Sequence, residues 1–191
     1  MALTQSKRRL SREEFLAWDA TQTVRHEFID GDIVARQGAS DSHVTAAGNV
    51  AIALRRHLDG TPYRTFISDM KLEVRAVGAF FYPDVLVTCS AADSADAMIK
   101  REPVLLVEVL SPSTAAFDRG DKLEAYRSID TLREYLLVDP DKRRADLYRL
   151  GADGLWVLHP FDVGSTVQLA SVQLDIAPAA LWAEVPPVEQ A

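Results

Sequence analysis

The chain has 191 residues, a hydrophobic content of 48% and a formal net charge of −7, which suits one domain with a core. The negative charge argues against a protein that grips nucleic acid by bulk electrostatics, but it does not exclude a nuclease whose acidic ligands are offset by metal ions. The single cysteine, Cys89, excludes an intrachain disulfide and a cysteine-rich zinc site, and we expect it to be a small buried thiol.

No apolar run reaches about 18 residues, and the first residues lack the long apolar stretch of a secretory signal. We therefore expect a cytoplasmic protein with no membrane span.

Local patterns predict both helices and strands in the first half of the chain. Ser11 and Glu14 have the spacing of a capping box, which predicts a short helix to about Asp19. Asp30-Gly31 predicts a hairpin between two short strands. A helix is expected from Asp41 to Leu58 as a cover for the sheet, because its apolar residues fall on one stripe: Val44, Ala47, Ala51, Leu54 and Leu58.

The second half is richer in strands. Residues 68–75 alternate between polar and apolar types, which predicts a half-exposed strand. A small-residue loop is expected from Ser90 to Arg101, and a helix from about Ala116 to Ile129. The apolar run at 134–139 predicts a buried strand. Short antiparallel strands are expected at 145–150, 155–159 and 166–169.

The most informative feature is an acid inside an apolar strand. Residues 104–110 are all apolar except Glu108, which predicts a strand covered on both faces. A bare carboxylate there would cost on the order of several kcal/mol, so Glu108 should be protonated, paired with a cation or bound to a metal. Asp84 opens a second apolar strand after Pro83. Two such acids facing one cleft suggest an Mg²⁺ site completed by water, with a loop-capping aspartate and a glutamate paired to a buried cation as the alternative.

These segments resemble a known family. The string from Leu106 to Thr114 is similar to that of the Uma-type restriction endonucleases, which are assigned to the PD-(D/E)XK nuclease superfamily. The likeness extends from about Ser11 to Leu150, and the Val-Glu-Val-Leu-Ser-Pro-Ser-Thr string is quite specific. Other segments that carry it are Glu27–Asp32, Ser42-His43, Tyr82–Val85, Asp118, Lys122, Tyr126 and Glu134–Asp139.

The resemblance implies a mixed α/β fold with a restriction-endonuclease-like core, a central mixed β-sheet flanked by helices, and extra antiparallel strands at the N- and C-terminal sides. We expect a single domain over 1–191. Its expected parts are a nuclease-like core at about 11–150, a C-terminal β extension at about 151–183 and a loose tail at 184–191. The resemblance also implies Mg²⁺-dependent hydrolysis of phosphodiester bonds in DNA, with Mn²⁺ as a substitute. A homodimer is expected, because cutting both strands of a duplex favours two sites related by a two-fold axis.

Carried over residue by residue, Asp84 and Glu108 would be the metal ligands. The lysine that the superfamily places two positions after the acid is replaced here by Leu110. Lys122, on the border of the following helix, is the best replacement, where it would orient the attacking water or neutralise the phosphorus species. The alternative is an ordinary surface pair between Asp118 and Lys122.

Supporting roles fall to residues with weaker signals. Glu27 resembles an upstream acid that completes the metal shell or positions water, although pairing near Arg25 or exposure to solvent competes with this interpretation. His43 would contact a phosphate or a metal-bound water, although a lone histidine is more often structural. Ser111 and Ser113 would hold a phosphate or simply cap the next helix. Because Leu110 replaces the lysine, a catalytically degenerate binding or assembly module stays open, as does hydrolysis of RNA or another phosphoester.

Overall fold

The computed structural model describes residues 10–36 and 38–186. Its helices are α1 (Arg12–Asp19), α2 (Asp41–His57), α3 (Ala91–Ala95), α4 (Ala115–Arg119), α5 (Asp121–Arg127) and α6 (Pro178–Leu181). Its strands are β1 (His26–Ile29), β2 (Asp32–Ala35), β3 (Arg64–Ile67), β4 (Lys71–Val74), β5 (Ala79–Phe81), β6 (Val85–Thr88), β7 (Ile99–Lys100), β8 (Pro103–Val109), β9 (Glu134–Asp139), β10 (Arg144–Leu150), β11 (Trp156–Phe161), β12 (Val167–Leu169) and β13 (Leu174–Ile176).

Most strands lie in two mixed sheets. The larger sheet has the order β11-β10-β9-β8-β6-β3, with β8 and β9 parallel and the other neighbours antiparallel. The smaller sheet has the order β2-β1-β5-β4-β7, in which β4 and β7 are parallel. Strands β12 and β13 form a separate antiparallel pair. The predicted class, a mixed α/β fold with flanking helices, is confirmed.

The larger sheet is covered on both faces, which explains why β8 is apolar along its length. On one face Val107 and Val109 pack with α2 and with the β12–β13 pair. On the other face Leu106 and Leu110 pack with α5. Glu108 alternates with the second set and therefore faces α5.

Several local predictions are confirmed. The capping box is present, because the Ser11 amide donates to the Glu14 carboxylate at 2.8 Å and the Glu14 amide donates to the Ser11 hydroxyl at 3.2 Å. The β1–β2 hairpin turns at Asp30 and Gly31, whose φ angles of 47° and 87° are left-handed as this turn requires. Helix α2 ends at His57, one residue short of the prediction.

Three segments differ from the prediction. The expected half-exposed strand at 68–75 is wrong, since β4 is short and Glu73 is buried against Arg101 at 2.5 Å. Residues 90–101 contain α3 and β7, because the Ser90 side chain caps the amides of Ala92 and Asp93. The helix expected at 116–129 is broken at Gly120, where an added Cβ would lie 3.1 Å from the Ala116 carbonyl oxygen.

Two burial predictions are also corrected. The apolar stripe predicted for α2 does not face the core at the start of the helix, because Val44 is 59% exposed. Ala46 and Val50, which were not assigned to the stripe, are buried instead. Cys89 is exposed, because it lies just beyond the end of β6. The predicted tail falls largely at residues 187–191, outside the described residues. Within residues 10–36 and 38–186, no helix combines the length and apolarity needed to cross a membrane.

Candidate active site

The two predicted metal ligands lie beside each other in the larger sheet. Strands β6 and β8 are antiparallel, and Val85 pairs with Val107. Continuing this register by one residue places Asp84 opposite Glu108, and opposite residues of a ladder point to the same face. Both side chains are buried, with exposures of 2% and 3%. The sheet therefore brings together two acids separated by 24 positions in the chain.

Glu108 has the cationic partner that its burial requires. Its Oε1 accepts a hydrogen bond from Lys122 Nζ at 3.0 Å and another from the Tyr126 hydroxyl at 2.8 Å. Both hydrogen bonds fall on the same carboxylate oxygen. Of the three alternatives predicted for Glu108, a proton, a cationic partner or a metal, these contacts show the cationic partner.

Lys122 is the centre of a buried cluster of carboxylates. Its amine lies 3.1 Å from Glu27 Oε1 and 3.1 Å from Asp118 Oδ1, in addition to its bond to Glu108. The Asp118–Lys122 pair exists, but it is not the surface pair considered from the sequence, because the lysine side chain is only 6% exposed. The expected position on the border of the helix is also wrong, since the break at Gly120 begins a new helix that points Lys122 inward.

Helix α5 holds Lys122 through its apolar face. Lys122, Ala125 and Tyr126 are buried at offsets of 0, 3 and 4, which lie on one side of a helix. The rings of Phe81 and Phe117 lie 5.8 and 5.6 Å from the lysine amine, within range of cation–π attraction. The long stem is therefore fixed among rings while the charged end meets the acids.

Glu27 enters the cluster from the smaller sheet. It is buried in the middle of β1, and its Oε1 accepts the backbone N–H of Tyr82 at 3.3 Å as well as the lysine amine. Tyr82 in turn donates its hydroxyl to the buried Asp19 at 2.8 Å. The ambiguity in the strand pattern is thus resolved in favour of the inward position, and neither Arg25 nor solvent is the main neighbour of Glu27.

Asp84 is held by a different set of donors. Its Oδ1 accepts from Arg36 Nη2 at 3.0 Å, and its Oδ2 accepts from the backbone N–H of Val109 at 2.8 Å. His43 Nε2 lies 3.2 Å from the same Oδ2. The histidine is carried by the first turn of α2, where the Ser40 hydroxyl accepts its backbone N–H. His43 therefore meets an acid of the site directly.

The surroundings of Glu108 and Asp84 shift the pKa values of these two acids in opposite directions. The pKa of Glu108 is raised to about 8, mainly by burial; Lys122 opposes this shift, and the charges of Asp84, Asp118 and Glu27 add to it. Burial also acts to raise the pKa of Asp84, but His43, the Val109 N–H and Arg36 outweigh it and hold that pKa below its usual value. The surrounding carboxylates raise the pKa of Lys122 despite its burial, so the amine stays charged. Two neighbouring carboxyl groups thus differ in how readily they take a proton.

The donor set fits an Mg²⁺ ion that keeps several of its waters. Carboxylate oxygens are the ligands that Mg²⁺ prefers, and it is usually held by one or two of them plus water and substrate phosphate. The contacts that Glu108 and Glu27 make with the protein fall on Oε1 of each side chain. Across residues 10–36 and 38–186 no group of three or more histidine, cysteine, aspartate or glutamate side chains is arranged to hold a metal ion.

The serines after β8 are not part of this cluster. The hydroxyls of Ser111 and Ser113 lie 3.1 Å apart, and Ser111 also meets Thr114 at 3.0 Å. No side chain caps the start of α4. The expected helix cap is therefore absent from α4, and the phosphate contact stays a prediction.

The sequence did not predict that Arg36 belongs to the site, and it did not predict a role for the Tyr126 hydroxyl. Arg36 follows the hairpin and reaches Asp84 across 48 positions, which no local pattern indicates. Tyr126 lies four positions after Lys122, so the helical spacing could have placed its hydroxyl beside the same acid. A buried tyrosine needs a partner, and here the partner is Glu108.

Comparison with known proteins gives one family and several relatives. The family model Uma2, described as "Putative restriction endonuclease", matches residues 12–182. The Synechocystis sp. protein slr1290 is 36% identical over 169 residues, covering 88% of this chain and 89% of the relative. A second Synechocystis sp. protein, sll1609, is 36% identical over 151 residues, covering 78% and 85%.

A solved structure shares the fold. It is a crystal structure from Anabaena variabilis described as a putative nuclease belonging to DUF820, with a TM-score of 0.77 and 16% identity. The superposition covers 93% of this chain and 99% of the other. At this identity the likeness concerns the fold, which extends over nearly the whole of both chains.

Proposed function

The chain belongs to the Uma2 family of restriction-endonuclease-like proteins, and from that membership we propose that it is an Mg²⁺-dependent endonuclease that hydrolyses phosphodiester bonds in DNA. The observation that carries the proposal is the position of Lys122, whose amine lies 3.0 Å from Glu108 and 3.1 Å from Glu27. A lysine from α5 thus occupies the neighbourhood that Leu110 leaves without a cation. This placement supports the proposal, although Leu110 replaces the lysine of the strand.

Asp84 and Glu108 would hold the metal ion, with Glu27 completing its shell or positioning a water. Bound there, Mg²⁺ would polarise a phosphoryl oxygen and make a bound water more acidic. Mn²⁺ prefers similar oxygen ligands and would substitute for it. Asp84 ionises readily, but its oxygens contact Arg36, His43 and the Val109 N–H, so one of these donors must make room for the ion. Glu108 must give up any proton it carries before it can bind a cation.

Lys122 would act through its charge. Because neighbouring carboxylates raise its pKa, the amine is an ammonium group that donates hydrogen bonds and cannot accept the proton of a water. It would therefore orient the attacking water and stabilise the negative charge that develops on the phosphoryl oxygens. A proton released by that water would pass to a carboxylate of the site or to solvent.

Hydrogen-bond donors at the edge of the site would receive the DNA strand. The Arg36 side chain is 25% exposed and His43 is 15% exposed, and both lie against Asp84. The charge of Arg36 is local, so a chain with a net charge of −7 still presents donors to a phosphate at this point. Two copies related by a two-fold axis would cut both strands, and we propose a homodimer on that basis.

The test is DNA cleavage with matched variants. Purified protein is incubated with supercoiled and single-stranded DNA in Mg²⁺ or Mn²⁺, and we expect Glu108→Gln, Asp84→Asn and Lys122→Met each to lower the rate at least about 100-fold. Glu134→Gln and Lys100→Met are the controls, because these residues are equally buried but bind Arg149 and the Asp93 carbonyl elsewhere. Thermal unfolding checks that every variant is folded.

Other outcomes would overturn the proposal. Failure of the wild type to cut, or cutting that survives both Glu108→Gln and Asp84→Asn, contradicts it. Calorimetric titration that shows no uptake of Mg²⁺ or Mn²⁺ at millimolar concentrations would leave a metal-free binding module. A parallel panel of RNA and nucleotide substrates separates DNA cleavage from hydrolysis of another phosphoester. Sedimentation analysis tests the dimer.

A further inference from the structure

An open cavity of about 370 Å³ adjoins the candidate active site. Asp84, Arg36 and His43 form one side of it, and a face of α2 forms another. Its size is at the lower end of the range of about 300–1,000 Å³ that pockets for small ligands occupy. The cavity therefore has room for a group the size of a single nucleotide, directly beside an acid that would hold the metal.

The cavity is lined by apolar side chains, and several of them are exposed and so do not contribute to the hydrophobic core. Val44, Ala47, Gly48 and Ala51 line it at offsets of 0, 3, 4 and 7, which is one face of α2. Val44 is 59% exposed, and so are Val24 at 49% and Ile67 at 55%, from two other segments of the same wall. Branched apolar side chains that meet around a concavity indicate a ligand that covers them.

Gly48 is an independent sign that the space is kept open. It lies inside α2, where glycine costs about 0.5–1 kcal/mol relative to alanine. No close approach of another segment requires it, because an added Cβ would have no atom within 4 Å. A larger side chain at this position would project into the open space and reduce the volume of the cavity.

Charged groups at the rim indicate what kind of ligand enters. Arg25 and Arg36 line the cavity together with His43, and the Arg25 side chain is 47% exposed. Two acids share this rim, because Asp69 lies 3.7 Å from Arg25 and Asp84 lies 3.0 Å from Arg36. The arginines still offer hydrogen-bond donors to a phosphate, and the apolar interior suits the faces of a base.

We infer that the cavity receives an unpaired nucleobase, so that the enzyme prefers DNA with an unpaired nucleotide next to the bond that is cut. The base would lie against Val24, Val44 and Ile67, and its phosphate would lie at Arg36 beside Asp84. A base that is still paired and stacked cannot enter a recess of this size, whereas a bulged or single-stranded base can. This inference rests on the proposed function for the presence of DNA, but the preference for an unpaired base can be measured without cleavage.

The experiment compares binding of two oligonucleotides. Fluorescence anisotropy measures the affinity of a labelled duplex that carries a one-nucleotide bulge and of the same duplex fully paired, with Glu108→Gln protein to prevent cutting. We expect the bulged duplex to bind about 10-fold more tightly, because an unpaired base that lies against aliphatic side chains removes apolar surface from water. Gly48→Leu, which fills the cavity, should reduce this ratio to about one. Gly164→Leu, on a turn outside the lining of the cavity and with equal space, should leave it unchanged.

The outcomes separate the two proposals. Equal affinity for both duplexes in the parent protein, or an undiminished ratio in Gly48→Leu, overturns the inference. When the same oligonucleotides are given Mg²⁺ and wild-type protein, equal cutting of both overturns the inference and leaves the endonuclease in place. Preferential binding of the bulged duplex without cutting of either supports the cavity as a base site and removes the proposed endonuclease activity.

Discussion

Replacing Glu108 with glutamine should change how the stability of the fold depends on pH. The pKa of Glu108 is about 8 in the folded protein, against an ordinary value of 4.5 that we take for the unfolded chain. Between these values the folded state keeps a proton that the unfolded state has released. Stability should therefore fall as the pH rises from about 5 to 8, and the loss is complete above the folded pKa. Glutamine has nearly the same shape but no charge, so the variant lacks this dependence.

The size of the effect follows from the difference between the two pKa values. At about 1.4 kcal/mol for each pKa unit, the change from 4.5 to about 8 sets a ceiling of about 5 kcal/mol on the stability lost by the wild type. We expect at least about 2 kcal/mol, because rearrangement of Lys122 and entry of water relieve part of the penalty. Above pH 8 the Glu108→Gln protein should be more stable than the wild type.

Urea denaturation at a series of pH values between 5 and 9, in a chelating buffer, measures this directly. The difference between the two proteins isolates Glu108, because other titrating groups are common to both. Parallel stability curves for wild type and Glu108→Gln would refute the reasoning, since they would mean that the carboxylate titrates normally. Addition of Mg²⁺ at pH 8 should then stabilise the wild type alone, because an ion that binds only the folded state raises its stability.

Further changes probe the same cluster and the cavity. Lys122→Met should cost about 3–5 kcal/mol in urea unfolding at pH 8, because it leaves buried carboxylates without their cation; unchanged stability would mean that the amine is not their partner. Tyr126→Phe should cost about 1–3 kcal/mol in the same assay, since Glu108 loses a 2.8 Å hydrogen bond, and a neutral result would contradict that bond. Gly48→Ala should raise stability by about 0.5–1 kcal/mol, whereas a loss would show that the cavity wall cannot accept a methyl group.

Local patterns predicted much of the fold. The capping box at Ser11, the hairpin at Asp30-Gly31 and the buried strand around Glu108 each depend on residues that are neighbours in the chain. The failures came where a distant partner overrides the pattern. Glu73 alternates like a solvent-facing residue, yet its carboxylate is buried against Arg101, 28 positions away.

Part of the candidate site, like part of the fold, could be predicted from the sequence. Glu108 could be identified because its own strand makes an unpaired charge costly, and Glu27 and Lys122 were found through a family resemblance. Arg36 could not be found, because its side chain meets Asp84 only after the hairpin and the larger sheet come together. The exposure of Val44 was missed for a related reason, since one apolar stripe of α2 faces both the core and an open cavity.

The sequence by itself determined that a carboxyl group lies inside an apolar strand and must be protonated, paired with a cation or bound to a metal, because periodicity and the cost of burying charge are local properties. Only the tertiary structure decided that the partner is Lys122 and that Glu27 and Asp118 share the same amine. Those contacts join segments that are 4 to 95 positions apart, and they depend on strand order and on the break at Gly120. Pattern along a chain fixes which side chains need partners, while the packing of distant elements selects them.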